Sequence, residues 1–298
     1  MGRQGDGVLN AMTVDVEDYF QVSAFEDVVD RSEWARLPSR VEASTARLLD
    51  LFDRFEVRAT FFVLGWIGEN HPALVREISA RGHEVACHGY DHKLLYEQEP
   101  EAFRRDTVKS REILQDLSGQ PVVGYRAASF SIGRDNLWTL DVLAEAGFTY
   151  DSSVFPIVHD RYGMPGAPRH IHRLKTPGGH SLVEVPPTTV RIGKLTLPAA
   201  GGGYLRLLPL GLTKWALSRL NRHERQPAIV YIHPWEVDPG QPRIRTRLTT
   251  SLRHYTGLAG VERKLGALMQ RYRFGPLCEI VRQLAEQDER NEPAVLTR

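Results

Sequence analysis

The sequence predicts an α/β fold built on a parallel, barrel-type sheet, and three observations carry that prediction. Short apolar runs alternate with longer amphipathic stretches along residues 11–240. Such alternation implies parallel strands joined by right-handed crossovers. Acidic, basic and imidazole side chains then recur where the apolar runs stop, the edge at which parallel barrels gather their polar groups. Residues 1–10 read as a polar, Gly-containing extension, and residues 241–298 as a helical extension packed on the barrel.

Residues 11–16 form the first strand and lead into Asp15-Val-Glu17-Asp18. Beyond a loop containing Trp34 and Pro38, residues Val41, Leu48, Leu49, Phe52 and Phe55 recur at helical spacing, and residues 59–64 then read as a buried strand. A helix over 72–81 is stopped by Gly82, and the strand 83–87 delivers His88. A longer helix spans 100–117, the strand 122–125 leaves Arg126 at its carboxyl end, and a helix over 136–146 stops at Gly147. The strand 148–150 leaves Asp151 at its end. Residues 156–180, rich in Pro, Gly, His and Arg, read as an irregular loop, followed by short strands at 182–185 and 194–197. Gly201-Gly-Gly203 precedes a helix over 210–222, and the strand 228–232 delivers His233. In the extension, 243–253 is basic, and 257–271 and 276–289 read as amphipathic helices.

Composition narrows the function. Hydrophobic residues make up 42% and charged residues 25%, ordinary values for a globular chain. A formal net charge of +1 and a pI of about 7.9 give no global field that would favour nucleic acid, so a neutral substrate fits better. The two cysteines, Cys87 and Cys278, form no metal or redox motif and point to a reducing compartment, with Cys87 as a small buried hydrophobe. The first ten residues lack a signal-peptide core, and no run reaches the ~20 apolar residues of a membrane span, so the expectation is a cytoplasmic chain without an integral membrane segment.

His88-Gly-Tyr-Asp-His92 is half of a metal site. Gly89 stands where a helical metalloprotease needs Glu, which argues against that class. Three carboxylates, Asp15, Glu17 and Asp18, crowd into four residues, and such crowding is costly without a cation. Alone it would be a solvated acidic loop; beside His88 and His92 it reads as the other half of a divalent-metal site. Strand alternation favours Glu17 as the carboxylate ligand if the strand continues, and Asp18 if the chain turns.

With these residues in view, the chain resembles the NodB-like polysaccharide deacetylases, carbohydrate esterase family 4. The resemblance rests on Thr13-Val-Asp15-Val-Glu17-Asp18, His88–His92, Tyr125-Arg126-Ala-Ala-Ser-Phe130, Asp151-Ser-Ser-Val-Phe155 and Ile229-Val-Tyr-Ile-His233, in that order. Three places depart from the family: Asp15-Val-Glu17-Asp18 where adjacent aspartates are frequent, Ala128 where Pro is usual, and Phe155 where Trp is common. More narrowly, Gly-Gly-Gly-Tyr204-Leu-Arg206, His233-Pro-Trp-Glu236 and Arg253-His-Tyr-Thr-Gly257 look like the subfamily found with exosortase/PEP-CTERM exopolysaccharide loci. The resemblance implies a deformed (β/α) barrel of about seven strands. It also implies a divalent metal, zinc first and cobalt or nickel next, on His88, His92 and either Glu17 or Asp18, and an N-acetylated polysaccharide or oligosaccharide as substrate. For amide hydrolysis Asp15 would be the general base, Arg126 would keep it ionised, His233 would be the general acid, and Asp151 would orient His233 and raise its pKa. Phe155, Trp235 and the Gly201–Tyr204 loop would wall a sugar ring. Two other readings stay open: a metal hydrolase of O-acetyl esters or small cyclic amides, and a catalytically inactive carbohydrate-binding barrel.

Overall fold

Parallel strands that are buried on both faces read as continuous apolar runs, and the chain assembles them into a ring. The structure, a computed structural model, describes residues 7–159 and 162–291. Strands β1 (Leu9–Val16), β2 (Thr60–Val63), β3 (Glu84–Cys87), β4 (Gly124–Tyr125) and β5 (Tyr150–Asp151) pair in sequence, all parallel. An antiparallel edge strand, β6 (His172–Lys175), lies on β7 (Ser181–Glu184), which is parallel to β5. A separate hairpin comprises β8 (Thr189–Ile192) and β9 (Leu195–Pro198), and β10 (Ile229–Ile232) returns to pair with β1. The parallel order is therefore β10-β1-β2-β3-β4-β5-β7. Between β7 and β10 no ladder forms among the described residues. Thr188 bridges there instead: its amide donates to the Ile229 carbonyl, and its hydroxyl accepts from the Ile229 amide at 2.6 Å. Closure by a bridging loop in place of a strand pair is what deforms the barrel.

The crossovers supply helices α1 (Val41–Arg54), α2 (Gly65–Asn70), α3 (Pro72–Ala80), α4 (Pro100–Ser118), α5 (Trp138–Glu145), α6 (Gly202–Leu207) and α7 (Leu210–Arg219). Leu48, Leu49 and Phe52 of α1 are buried, as their spacing predicts. Ahead of residue 240, four elements escape the sequence pattern. β6 alternates half-buried and exposed residues and has no apolar run, and β8 turns two of its four residues to solvent. α2 contains two glycines, poor helix formers, because a Cβ on Gly65 would stand 2.7 Å from Ser110 Oγ where α2 crosses α4. α6 begins within the triple glycine: Gly201 (φ +123°) lies so flat on the Tyr231 ring that a Cβ would come within 2.2 Å of it.

Beyond residue 240 the chain stays joined to the sheet. After α8 (Leu248–Tyr255) and α9 (Val261–Met269), the chain adds β11 (Arg273–Gly275) in parallel to the first half of β1. The extension thus contributes a strand as well as helices. The last helix, α10 (Leu277–Asn291), then packs Leu277 and Ile280 against Ala11, Phe62, Ala86, Tyr150 and Ile229. Its first amides are capped by barrel residues: Leu277 N donates to Thr60 Oγ1 at 2.7 Å and Cys278 N to Glu84 Oε2 at 3.0 Å. Thr60 and Glu84 open their strands, so α10 closes the amino end of the barrel. At the other boundary, Leu9 and Asn10 belong to β1, while residues 1–6 of the expected extension lie outside the described residues. Cys87 is buried in the sheet. With one end closed, the polar groups at the strands' carboxyl ends face an open groove.

Candidate active site

Asp15 is the penultimate residue of β1, and its buried carboxylate would be costly without a partner. Arg126, fully buried directly after β4, supplies one: Nη1 donates to Asp15 Oδ1 at 2.6 Å and to Thr13 Oγ1 at 2.9 Å. Nη2 donates to Ser152 Oγ, and the guanidinium lies 4.1 Å above the Phe62 ring. Burial pushes the Asp15 pKa up, but Arg126, His88 and His233 outweigh it and hold the carboxyl below its ordinary value.

His88 and His92 converge from a tight loop, not a helix. Gly89 (φ +76°) and His92 (φ +56°) turn the chain left-handed, bringing the rings to 5.4 Å between centroids. His88 Nδ1 lies 2.7 Å from the Arg126 carbonyl; a carbonyl only accepts, so Nδ1 carries the proton and Nε2 is left as a potential ligand. Glu17 brings Oε2 to 3.0 Å from His92 Nε2. One ligand atom from each of Glu17, His88 and His92 lies within 4.8 Å of the others.

Two imidazoles and a carboxylate suit a divalent cation. The surroundings fit as well. Glu17 is buried, its Oε2 makes no hydrogen bond although it lies 3.0 Å from His92 Nε2, and burial pushes its pKa up to about 7. A cation would remove that penalty.

Asp18, the alternative carboxylate, is occupied elsewhere. Its Oδ2 accepts from Ser39 Oγ at 2.6 Å and from the amides of Arg40 and Val41 at 2.8 and 3.1 Å, while Oδ1 accepts from Tyr19 N. It caps the first turn of α1. The β1 ladder stops at Val16, yet Glu17 keeps to the same side as Asp15, so the ligand does not follow from whether the strand continues.

His233 follows β10 on the opposite wall. Its Nε2 lies 3.3 Å from Glu17 Oε1 and 3.9 Å from Asp15 Oδ2. The expected orienting partner, Asp151, does not reach it. Asp151 Oδ1 accepts from Ser153 Oγ and Oδ2 from Ser153 N, and Ser153 Oγ in turn accepts from Ala127 N. Asp151 therefore anchors the segment after Arg126, pressed against a second buried acid, Glu184. His233 Nδ1 is held instead by Glu236 Oε2 at 2.9 Å, within one short helical turn that opens at Pro234. Burial disfavours the imidazolium, but the Glu236 bond and the charges of Glu17, Glu236 and Asp15 outweigh it and raise His233 to about 9. Glu236 was legible only as part of the His-Pro-Trp-Glu string; its i+3 spacing behind a proline is the signal that could have marked it.

The groove encloses about 440 Å³. Of the expected walls, Trp235 lines it, stacked at 5.1 Å on His233 and at 4.2 Å on His254. Phe155 is buried one layer back, against Phe130 and Tyr162, and those two line the groove in its place. Tyr204 is not among the lining residues. Arg206, two residues on, takes that position, donating to the carbonyls of Arg253 and His254 and standing 3.3 Å from Glu236.

Residues 25–150 match the family model for polysaccharide deacetylase. That stretch is 126 of the 298 residues, and over it the chain is similar to polysaccharide deacetylases. Residues 152–282 match a second model, described as a domain of unknown function (DUF3473). The deacetylase match spans His88, His92 and Arg126, while Arg206, His233, Trp235 and Glu236 fall in the second region, so the groove draws on both. A peptidoglycan-N-acetylglucosamine deacetylase of Bacillus cereus is 28% identical over 148 residues, 46% of this chain and 52% of that protein. A chitooligosaccharide deacetylase of Rhizobium leguminosarum bv. trifolii is 35% identical over 102 residues, 34% of this chain and 45% of that protein. The chain spans about half the length of these curated relatives. A crystal structure from Mycobacterium smegmatis, described as a polysaccharide deacetylase, shares the fold at a TM-score of 0.65 and 22% identity, over 100% of this chain and 96% of that one. Among the described residues no helix is long and apolar enough to cross a membrane.

Proposed function

We propose that this chain is a metal-dependent N-deacetylase of an N-acetylated glycan, acting on a bacterial exopolysaccharide or its precursor. One observation carries the reading: a carboxylate held ionised by a buried arginine, Asp15, and an imidazole, His233, lie 3.9 Å apart beside the Glu17–His88–His92 cluster. The curated relatives, named as deacetylases of peptidoglycan N-acetylglucosamine and of chitooligosaccharides, support the substrate class. The exopolysaccharide context rests on the narrower resemblance of the motifs.

Glu17, His88 and His92 would hold the cation, zinc first by donor type. When bound, it would polarise the acetyl carbonyl and lower the pKa of the attacking water. Asp15 takes a proton from that water as oxygen attacks the carbonyl carbon. Arg126 keeps Asp15 charged beforehand, so the base is ready at neutral pH. His233 donates the Nε2 proton to the amide nitrogen as the C–N bond breaks, releasing acetate and the free amine. Glu236 holds the other ring nitrogen, which fixes the ring's orientation and stabilises its protonated form. Trp235, Phe130 and Tyr162 offer aromatic faces for a sugar ring.

The test is acetate release from N-acetylglucosamine oligomers by protein stripped with a chelator and then reloaded with zinc or cobalt. Release that is lost on stripping and restored on reloading is the expected result. Release indifferent to the chelator would overturn the metal assignment, and its absence from every preparation would overturn the activity.

A further inference from the structure

One wall of the groove has an outer face that the chemistry above does not use. Along residues 243–247 exposure alternates: Ile244 and Thr246 are partly buried, and Arg243, Arg245 and Arg247 are exposed. Helix α8 starts at the next residue and shows Leu248, 74% exposed, and Leu252, 57% exposed, one turn apart. Thr250, Arg253 and His254, on the opposite side of the same helix, line the groove. The arginine segment is fixed to the helix, since Ile244 N donates to Tyr255 Oη at 2.8 Å and the Arg243 guanidinium lies 5.1 Å from the Tyr255 ring.

Two features set this face apart. Several arginines elsewhere are matched with acids, Arg81 with Asp50, Asp53 and Glu77, and Arg47 with Glu262. Among the described residues, no carboxylate pairs with Arg243, Arg245 or Arg247. The chain's net charge of +1 therefore conceals a local cationic cluster. The second feature is the neighbouring pair of exposed leucines. A soluble polyanion would use the cations and leave the leucines in water. An anionic lipid surface uses both, phosphates meeting guanidinium groups and leucines entering the acyl boundary.

We propose that residues 243–252 dock the chain on an anionic lipid surface, with the groove opening beside it. The corollary, that the glycan is met at a membrane, rests on the deacetylase reading; the docking itself does not.

The test is co-sedimentation of the purified chain with vesicles of phosphatidylcholine, with and without phosphatidylglycerol. Binding is expected only to the anionic vesicles. Reversing two charges, Arg245→Glu with Arg247→Glu, should weaken it by more than about tenfold. Removing the apolar contact, Leu248→Ser with Leu252→Ser, should weaken it by about tenfold or more. All four positions are exposed and outside the groove lining, so thermal midpoints and metal binding should stay as in the parent. The proposal is overturned if the parent ignores anionic vesicles, if neutral vesicles bind equally well, or if either double variant binds like the parent. Undiminished binding by the leucine variant in particular would mean a purely electrostatic contact with a polyanion. Because the assay reads no acetate, its failure and that of the deacetylase reading are separable.

Discussion

Glu236 Oε2 lies 2.9 Å from Nδ1 of His233, so the candidate general acid is held by its own neighbour in sequence and not by an acid from another strand. This contact raises the imidazole, whereas Asp151, bonded to Ser153, leaves it alone.

The first prediction follows from the protonated form being the active one. kcat on an N-acetyl substrate should fall as pH rises through a limb at or below about 9, since a cation on Glu17 would withdraw part of the support for the imidazolium. Glu236→Gln should move that limb to lower pH and reduce neutral-pH kcat by roughly 10- to 100-fold, a part of the ~10²–10⁴ that a general acid supplies. Turnover of an activated aryl acetate, whose leaving group needs no proton, should barely change. Equal losses on both substrates in pH–rate profiles would contradict a role confined to the acid.

Asp151→Asn gives the complementary case. It disturbs the anchor to Ser153 and the contact with Glu184, and should lower stability by about 1–3 kcal/mol in denaturant unfolding. The alkaline limb should stay in place. A shifted limb would restore Asp151 as the acid's partner.

Metal affinity should depend on pH in a defined direction. Burial raises Glu17 to about 7, so below that pH a cation must displace its proton, and affinity should fall about tenfold per pH unit. His88 and His92 are held below their ordinary values, chiefly by burial, and release no proton near neutrality. Calorimetry in buffers of different ionisation enthalpy should show about one proton released per metal at acidic pH. A flat affinity across that range would exclude Glu17 as a ligand.

Asp18→Ala separates ligand from cap. Losing the bonds to the Arg40 and Val41 amides should cost about 1–2 kcal/mol of stability in thermal or denaturant unfolding. Zinc titration should give the parent's affinity; a large loss would return Asp18 to the metal.

The alternation of apolar runs and amphipathic stretches made the barrel legible, and Asp15, His88, Arg126 and His233 were legible because all leave strands at the same end. What stayed hidden was decided by local turns. Glu17 and Asp18 are adjacent carboxylates, and only the path of the chain after Val16 sends one to the cluster and the other to α1. Asp151 and Glu236 each stand near a strand exit, and the choice between them depends on where Ser153 and Pro234 steer the backbone. Phe155 lies behind Phe130 because that stretch turns left-handed at Ser129 and Phe130, a conformation that neither residue advertises. β11 is a three-residue strand with no pattern of its own, formed beside Leu9–Ala11, where β1 has not yet begun to pair with β2.

The central claim, that Glu17, His88 and His92 hold the cation while Asp15 acts as base, is tested most directly by measuring bound zinc and acetate release on the same preparations of parent and Asp15→Asn. The expected result is about one zinc per chain in both, with acetate released from N-acetylglucosamine oligomers by the parent alone. Full turnover by Asp15→Asn, or turnover by parent protein containing no metal, would contradict it.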